Sequence, residues 1–249
     1  MSRLAGDPKL PALVVAAHSD DEAVGFGIGL RERQPSAVAY LTDSAPRDPR
    51  FFTTPCASRA AYAAARRAEA FRAAAMLGVP AQSLFFLDAV DMEAYRDLER
   101  LDRALAALGD ALAPQVIWSP AYDGGHPDHD VAAFLAARLA RRLAVPHWEF
   151  ALYPGGRRIQ SMRFRGADPA VVRQLNAEEQ EFKRTLLAVY DSQAPLLSQF
   201  DCTVERYRAA RTYDFRQRPS KGRCLYEAWG WPVTADMLVD AFATMADTG

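Results

Sequence analysis

Histidine, cysteine and lysine are all scarce in this chain of 249 residues. The three cysteines (Cys56, Cys202 and Cys224) are odd in number and show no CxxC spacing, which excludes a metal ribbon and a disulfide framework. No apolar run approaches the roughly 18 residues that a membrane-spanning helix needs. The N-terminus lacks a basic head followed by a long apolar stretch, and the short run from Leu10 to Ala17 ends in a polar motif. These absences predict a soluble, cytoplasmic protein without a membrane span. A formal net charge of -1 gives no reason to expect nucleic acid or another polyanion as partner. Lysine occurs only as Lys9, Lys183 and Lys221, so 27 of the 30 basic residues are arginine. That excess reads first as a coding bias shared with the many alanines. Particular arginines can still clamp anionic or polyhydroxyl ligands in bidentate fashion.

Only four histidines are present, and three lie in two short acidic motifs. His18 stands in Ala17-His18-Ser19-Asp20-Asp21-Glu22, and His126 and His129 stand in His126-Pro127-Asp128-His129-Asp130. Imidazole and carboxylate are what a divalent cation takes when thiolate is absent. If the fold joins the two motifs, they make a mononuclear metal site with a carboxylate base, which is hydrolase chemistry. His147 opens a buried strand and reads as structural.

Short apolar runs alternate with helical patterns over the first 150 residues. Strands are expected at Leu10–Ala17, Ala37–Leu41, Ser83–Leu87, Gln115–Ser119 and His147–Tyr153. Helices are expected to about Leu30, then over Ser58–Leu77, Asp97–Leu112 and about Asp128–Leu143, and the Ser19-x-x-Glu22 spacing predicts a capping box for the first. Residues 43–56 and 120–127 read as long loops. This is an α/β pattern: a mostly parallel sheet with helices on both faces, forming a single domain with its core at about 10–153. Residues 154–249 read as a smaller, irregular C-terminal part. It holds a strand pair at Arg157–Arg165, a helix at Asn176–Tyr190, an irregular stretch at 192–234 and a terminal helix at Ala235–Met245. Both histidine motifs follow strands, so both are expected on the ligand-binding rim of the sheet.

His18 and Asp21 are three apart at a strand-to-helix junction and can turn toward one point, with His129 as third protein ligand. Three protein ligands plus water is the open arrangement of catalytic zinc, which lowers the pKa of water to roughly 7. Asp20 is then the natural general base. His126, one helical turn from His129, can stabilise an oxyanion and protonate a leaving amine, and Asp128 can hold the His126 or His129 imidazole in its tautomer. Blander readings stand beside these. The acids after His18 match a helix dipole, Ser19 is a helix cap, and Asp128 is equally well an N-cap.

The first motif resembles the Ala-His-Pro-Asp-Asp-Glu of the LmbE/PIG-L family of zinc-dependent N-acetylglucosaminyl deacetylases, with Ser19 in place of proline. His126-Pro127-Asp128-His129 is similar to that family's second motif. Leu41-Thr42-Asp43-Ser44-Ala45 is similar to its Thr-Asp-Gly segment, Arg66-x-x-Glu69 before Leu77-Gly78 to its Arg-x-x-Glu helix, and Tyr190-x-Ser192-Gln193 to its Tyr-x-Ser-Gln. The likeness runs from about residue 12 to 193. It implies a Rossmann-like fold and one zinc per chain held by His18, Asp21 and His129, a set that iron or cobalt can also occupy. It further implies Asp20 as base, His126 as acid or oxyanion partner, and Arg66 and Asp91 as substrate contacts. The implied reaction removes an N-acyl group, by the family pattern N-acetyl, from an amino-sugar conjugate.

A metal-dependent amidase or esterase on a non-sugar substrate fits the same residues, as does, less well, a non-catalytic sugar-binding protein. The basic stretch from Arg206 to Arg223 reads as a solvated or intersubunit face, or as a site for an anionic aglycone, and association with a second copy stays open. Tyr226, Trp229 and Trp231 read as core or as a stacking surface.

Overall fold

The computed structural model describes residues 10–33, 36–153, 162–165 and 170–246. Five strands alternate with helices in the first part of the chain: β1 (Ala12–Ala16), α1 (Asp21–Arg31), β2 (Ser36–Pro46), α2 (Arg59–Leu77), β3 (Leu84–Asp91), α3 (Leu98–Leu112), β4 (Val116–Pro120), α4 (Pro127–Leu143) and β5 (His147–Phe150). There follow β6 (Val171–Gln174), α5 (Ala177–Leu187), α6 (Ala194–Leu197), β7 (Val204–Ala209), α7 (Leu225–Ala228) and α8 (Ala235–Ala246). They build one seven-stranded sheet in the order β3-β2-β1-β4-β5-β7-β6. The first five strands are parallel, and β7 and β6 add to the β5 edge antiparallel.

Alternate residues of β1 feed two separate cores, as the two-residue period of a strand demands. Leu13 and Val15 pack with α3, α4 and α8, whereas Val14 and Ala16 pack with α1, α2 and α5. Burial on both faces explains why β1 and β4 read as uninterrupted apolar runs. Local chemistry sets the helix ends. The Ser58 hydroxyl accepts the Ala61 N–H at the start of α2, and Gly78 stops that helix at φ +76°. Asn176 and Glu179 form a reciprocal capping box on α5.

Several expectations need correction. Ser19 does not cap α1. The N-cap is Asp20, without a side-chain cap bond, because the Ser19 hydroxyl pairs with Ser44 and the Glu22 carboxylate with Tyr40 and Tyr190. Residues 43–46 continue β2, and Pro49–Phe51 form a 3-10 turn in what read as loop. β7 lies inside the stretch read as irregular, so the C-terminal part completes the sheet. The strand pair expected at Arg157–Arg165 lies mostly outside the described residues, and Met162–Arg165 form no strand.

Candidate metal centre and its cavity

β1 and β4 are neighbours in the sheet, but their following helices lead to opposite faces. That reversal opens a crevice beyond their carboxyl ends. His18 leaves β1 there, and His126 and His129 enter α4 after β4. The strands thus bring together two segments more than a hundred residues apart. His18, His126 and His129 are all buried, and each offers a ring nitrogen within 4.8 Å of the others.

Asp21 joins them. Its Oδ1 lies 3.0 Å from His129 Nε2 and 3.6 Å from His18 Nδ1, while its Oδ2 accepts the backbone N–H groups of Ala17 and His18. Ligands about 2.1 Å from one tetrahedral zinc stand about 3.4 Å apart, so both separations suit a shared cation. Around this set lie four buried carboxylates, Asp20, Asp21, Asp91 and Asp128, with Arg66 as a buried cation beside them. Such a donor set fits a divalent metal, which would offset the surplus negative charge.

The second nitrogen of His18 faces a different pair of acids. His18 Nε2 is 3.1 Å from Asp91 Oδ1 and 3.5 Å from Asp128 Oδ2. Burial opposes charge on this ring, yet Asp91 and Asp21 hold His18 well above the usual imidazole range. Burial likewise opposes ionisation of Asp21, but the His129 and His18 rings hold it well below the usual carboxylate range. Burial pushes Asp128 up to about 6.

Asp128 therefore serves neither His126 nor His129 through its carboxylate. It sits in the first turn of α4 and reaches across to the exit of β3, accepting the N–H groups of Met92 and Ala94 at 2.6 and 3.2 Å. Nor is it the N-cap: His126 takes that place, its Nδ1 accepting the Asp128 N–H at 3.1 Å. An Nδ1 that accepts leaves the proton of the neutral ring on Nε2. Burial, with His18 and His129 nearby, lowers the His126 pKa well below its usual value and favours that neutral form.

Asp20 meets Arg66. The guanidinium Nη2 lies 3.1 Å from Asp20 Oδ2, and Nη1 lies 3.4 Å from Glu69 Oε2. Glu69 accepts in turn from the Ser192 N–H and hydroxyl at 2.8 and 2.6 Å. Gln193 donates to the Tyr62 hydroxyl, and Tyr190 donates to Glu22, which burial pushes up to about 8. The Tyr190-x-Ser192-Gln193 segment thus backs Glu69, and through it the Arg66 guanidinium that meets Asp20. Arg66 Nε has no hydrogen-bond partner among the described residues.

A cavity of about 370 Å³ opens above the centre. His18, Asp20, Asp21, Asp91, His126 and Arg66 line its foot, so the expected substrate contacts Arg66 and Asp91 do reach it. Its walls also include Val24, Leu152, Tyr153, Leu196, Leu197 and Phe200, none of which stands out in the sequence. Trp229 and Trp231 also line it, and Trp231 meets the His126 ring edge-on at 5.1 Å between centroids. Tyr226 instead lies buried with its hydroxyl 3.2 Å from Asp130. His147 is remote from the centre and pairs with the Ser119 hydroxyl at 2.9 Å. In the basic stretch, Arg208 pairs with buried Glu149, Arg216 with Asp214, and Arg218 with Glu227 and Asp236. No helix among the described residues is long and apolar enough to cross a membrane.

Fold and site together define an α/β protein of Rossmann-like topology with a buried histidine–carboxylate centre at its switch point. The family model described as PIG-L, GlcNAc-PI de-N-acetylase, matches residues 13–140, and the chain belongs to that family. No curated protein sequence matches it. Among solved structures, it is similar to a teicoplanin-biosynthesis deacetylase in complex with teicoplanin: TM-score 0.63, 17% identity, covering 82% of this chain and 99% of that one. It is also similar to the N,N'-diacetylchitobiose deacetylase of Pyrococcus horikoshii, with TM-score 0.55 and 18% identity over 80% of this chain and 82% of that one. GalB, a 4-carboxy-2-hydroxymuconate hydratase from Pseudomonas putida, shares the fold at TM-score 0.53 and 18% identity, covering 82% of this chain and 96% of that one. One fold therefore hosts more than one reaction, and function has to be argued from the site.

Proposed function

We propose that this protein is a divalent-metal-dependent hydrolase that removes an N-acyl group from a small amino-sugar conjugate, with zinc as the default metal. One observation carries the reading: Asp21 Oδ1 lies 3.6 Å from His18 Nδ1 and 3.0 Å from His129 Nε2, beside a cavity that His18, Asp20 and Asp21 line. His18, Asp21 and His129 would hold the cation. When bound, it supplies a Lewis acid that polarises the amide carbonyl and acidifies water.

The chain's own residues supply the rest. Arg66 fixes one oxygen of Asp20, which leaves the other to accept a proton from water. The water oxygen attacks the acyl carbon, and the His126 Nε2–H donates a hydrogen bond to the developing oxyanion. The C–N bond then breaks. The proton held on Asp20 passes to the departing amine, so the products are a carboxylic acid and a free amino group. Asp91, against His18 Nε2, holds the ring with Nδ1 turned toward Asp21, from which side His18 would hold a cation.

The test is release of carboxylic acid from a panel of N-acyl amino-sugar conjugates, simple amides and esters, with and without chelator. Chelator-sensitive turnover confined to the amino-sugar amides is expected. Turnover that persists in metal-free protein, or that occurs only on non-sugar amides and esters, would overturn the reading.

A further inference from the structure

We propose that the acyl group this enzyme removes is an apolar chain longer than acetyl, bound against an aliphatic wall beside Asp20; this rests on the function proposed above. Val24 lies one turn into α1 from the N-cap Asp20, donating its N–H to the Asp20 carbonyl at 2.9 Å, and both side chains line the cavity. The cavity wall continues from Val24 through Leu152 to Leu196, Leu197 and Phe200. Val24, Leu152, Leu197 and Phe200 are buried, and Tyr153 bridges this wall to the centre, 5.2 Å from the His129 ring and 6.1 Å from Phe200 between centroids.

This side of the cavity is built for carbon. Gly25 lets Leu152 and Phe150 lie directly on α1: a Cβ there would come within 2.3 Å of Phe150. The neighbouring polar groups are already engaged with one another. Gln193 donates to Tyr62 and accepts from Thr53, and the Thr53 N–H donates to the Tyr62 hydroxyl. Sugar hydroxyls placed against the aliphatic side chains themselves would lose their hydrogen bonds with water and gain none from them. The same cavity is lined by Trp231, an aromatic ring of the kind on which sugars stack, and by the polar side chains of Ser44 and Asp91. A water held by Asp20 attacks the carbonyl carbon, which therefore lies near Asp20 and Val24; in this arrangement the acyl substituent runs along the wall and the amino sugar toward Trp231. A chain of several methylenes can lie along the part of these side chains that faces the cavity.

The experiment uses the metal-loaded full chain and a series of N-acyl glucosamines: acetyl, butanoyl, hexanoyl and octanoyl. Each added methylene that is buried should raise kcat/KM by about fourfold, until the wall is covered. Filling the wall with Leu196→Trp should lower the octanoyl-to-acetyl ratio of kcat/KM, and Leu197→Ala serves as a second variant should the first fail to fold. A flat or falling series from acetyl to hexanoyl would overturn the long-chain assignment and leave the deacylase reading standing. No acyl release from any member, with metal bound, would overturn both.

Discussion

The hydroxyls of Ser19 and Ser44 lie 3.0 Å apart, and the Ser44 oxygen also accepts the Ser19 backbone N–H at 2.9 Å. Both positions differ from the motifs the chain resembles, which have proline at the first and glycine at the second. Ser44 has φ +55°, in the left-handed region that glycine enters freely. The serine pair thus joins the turn after β1 to the last part of β2, where a stiff residue and a permissive one would otherwise shape them separately. Ser44→Gly should gain roughly 1 kcal/mol from the backbone and lose about as much in hydrogen bonding. Ser19→Pro removes the N–H donor and should destabilise by about 1–2 kcal/mol. A double-mutant cycle in urea should show coupling of at least about 0.5 kcal/mol; additive effects would mean that the pair does not act together.

Metal content and turnover should separate in the variants of the centre. His18→Ala, His129→Ala and Asp21→Ala should each lose bound metal, read by elemental analysis of purified protein. Asp20→Ala should keep it and lose about 100- to 1,000-fold in kcat. Full turnover in Asp20→Ala with metal still bound would remove Asp20 from the role of base.

Arg66 acts on Asp20, so Arg66→Met should lower kcat by about tenfold or more with unchanged metal content. Ser192→Ala, two links further back through Glu69, should lower kcat less and leave KM nearly unchanged. A variant that raises KM alone would make Arg66 a substrate contact only.

Lys183 and Glu205 form a fully buried pair at 2.9 Å, and Glu205 also takes the N–H groups of Ile28 and Gly29 and the Tyr207 hydroxyl. Lys183→Met leaves that carboxylate without its cation and should destabilise by about 3–5 kcal/mol in denaturant titration. A loss below about 1 kcal/mol would show that the backbone donors alone satisfy Glu205.

His147 gives a pH dependence away from the centre. Burial lowers its pKa to about 4 in the folded chain, against roughly 6.5 when unfolded. Between these values the unfolded state binds the extra proton, so stability falls as pH drops from about 6.5 to 4, by up to roughly 3 kcal/mol from this group. His147→Gln should flatten that part of the stability curve relative to wild type. Parallel curves would show that the ring protonates without cost in the fold.

The parallel half of the sheet was legible because β1 and β4 are buried on both faces and carry unbroken apolar runs. The histidines and carboxylates of the candidate centre were legible because histidine is rare and its neighbours are acidic. β7 was not, since Glu205 and Arg208 are fully or almost fully buried within it and neutralised by Lys183 and Glu149, which lie far off in sequence. A polar strand satisfied from a distance has no local signature. The capping box at Ser19 failed for a related reason: Ser19, Glu22, Tyr40 and Ser44 meet only after β1 and β2 have paired. The cavity wall was equally invisible, because Leu196, Leu197 and Phe200 carry no pattern that separates a lining from a core.

His18 is a rigid bridge between two electrostatic compartments, one at each ring nitrogen. Whatever charge arrives at Nδ1 alters how strongly Nε2–H pulls on Asp91 and Asp128, and Asp128 pins the amides of Met92 and Ala94. Loading the centre therefore stiffens a corner on another strand, and slower hydrogen exchange at those two amides would report occupancy without any substrate present.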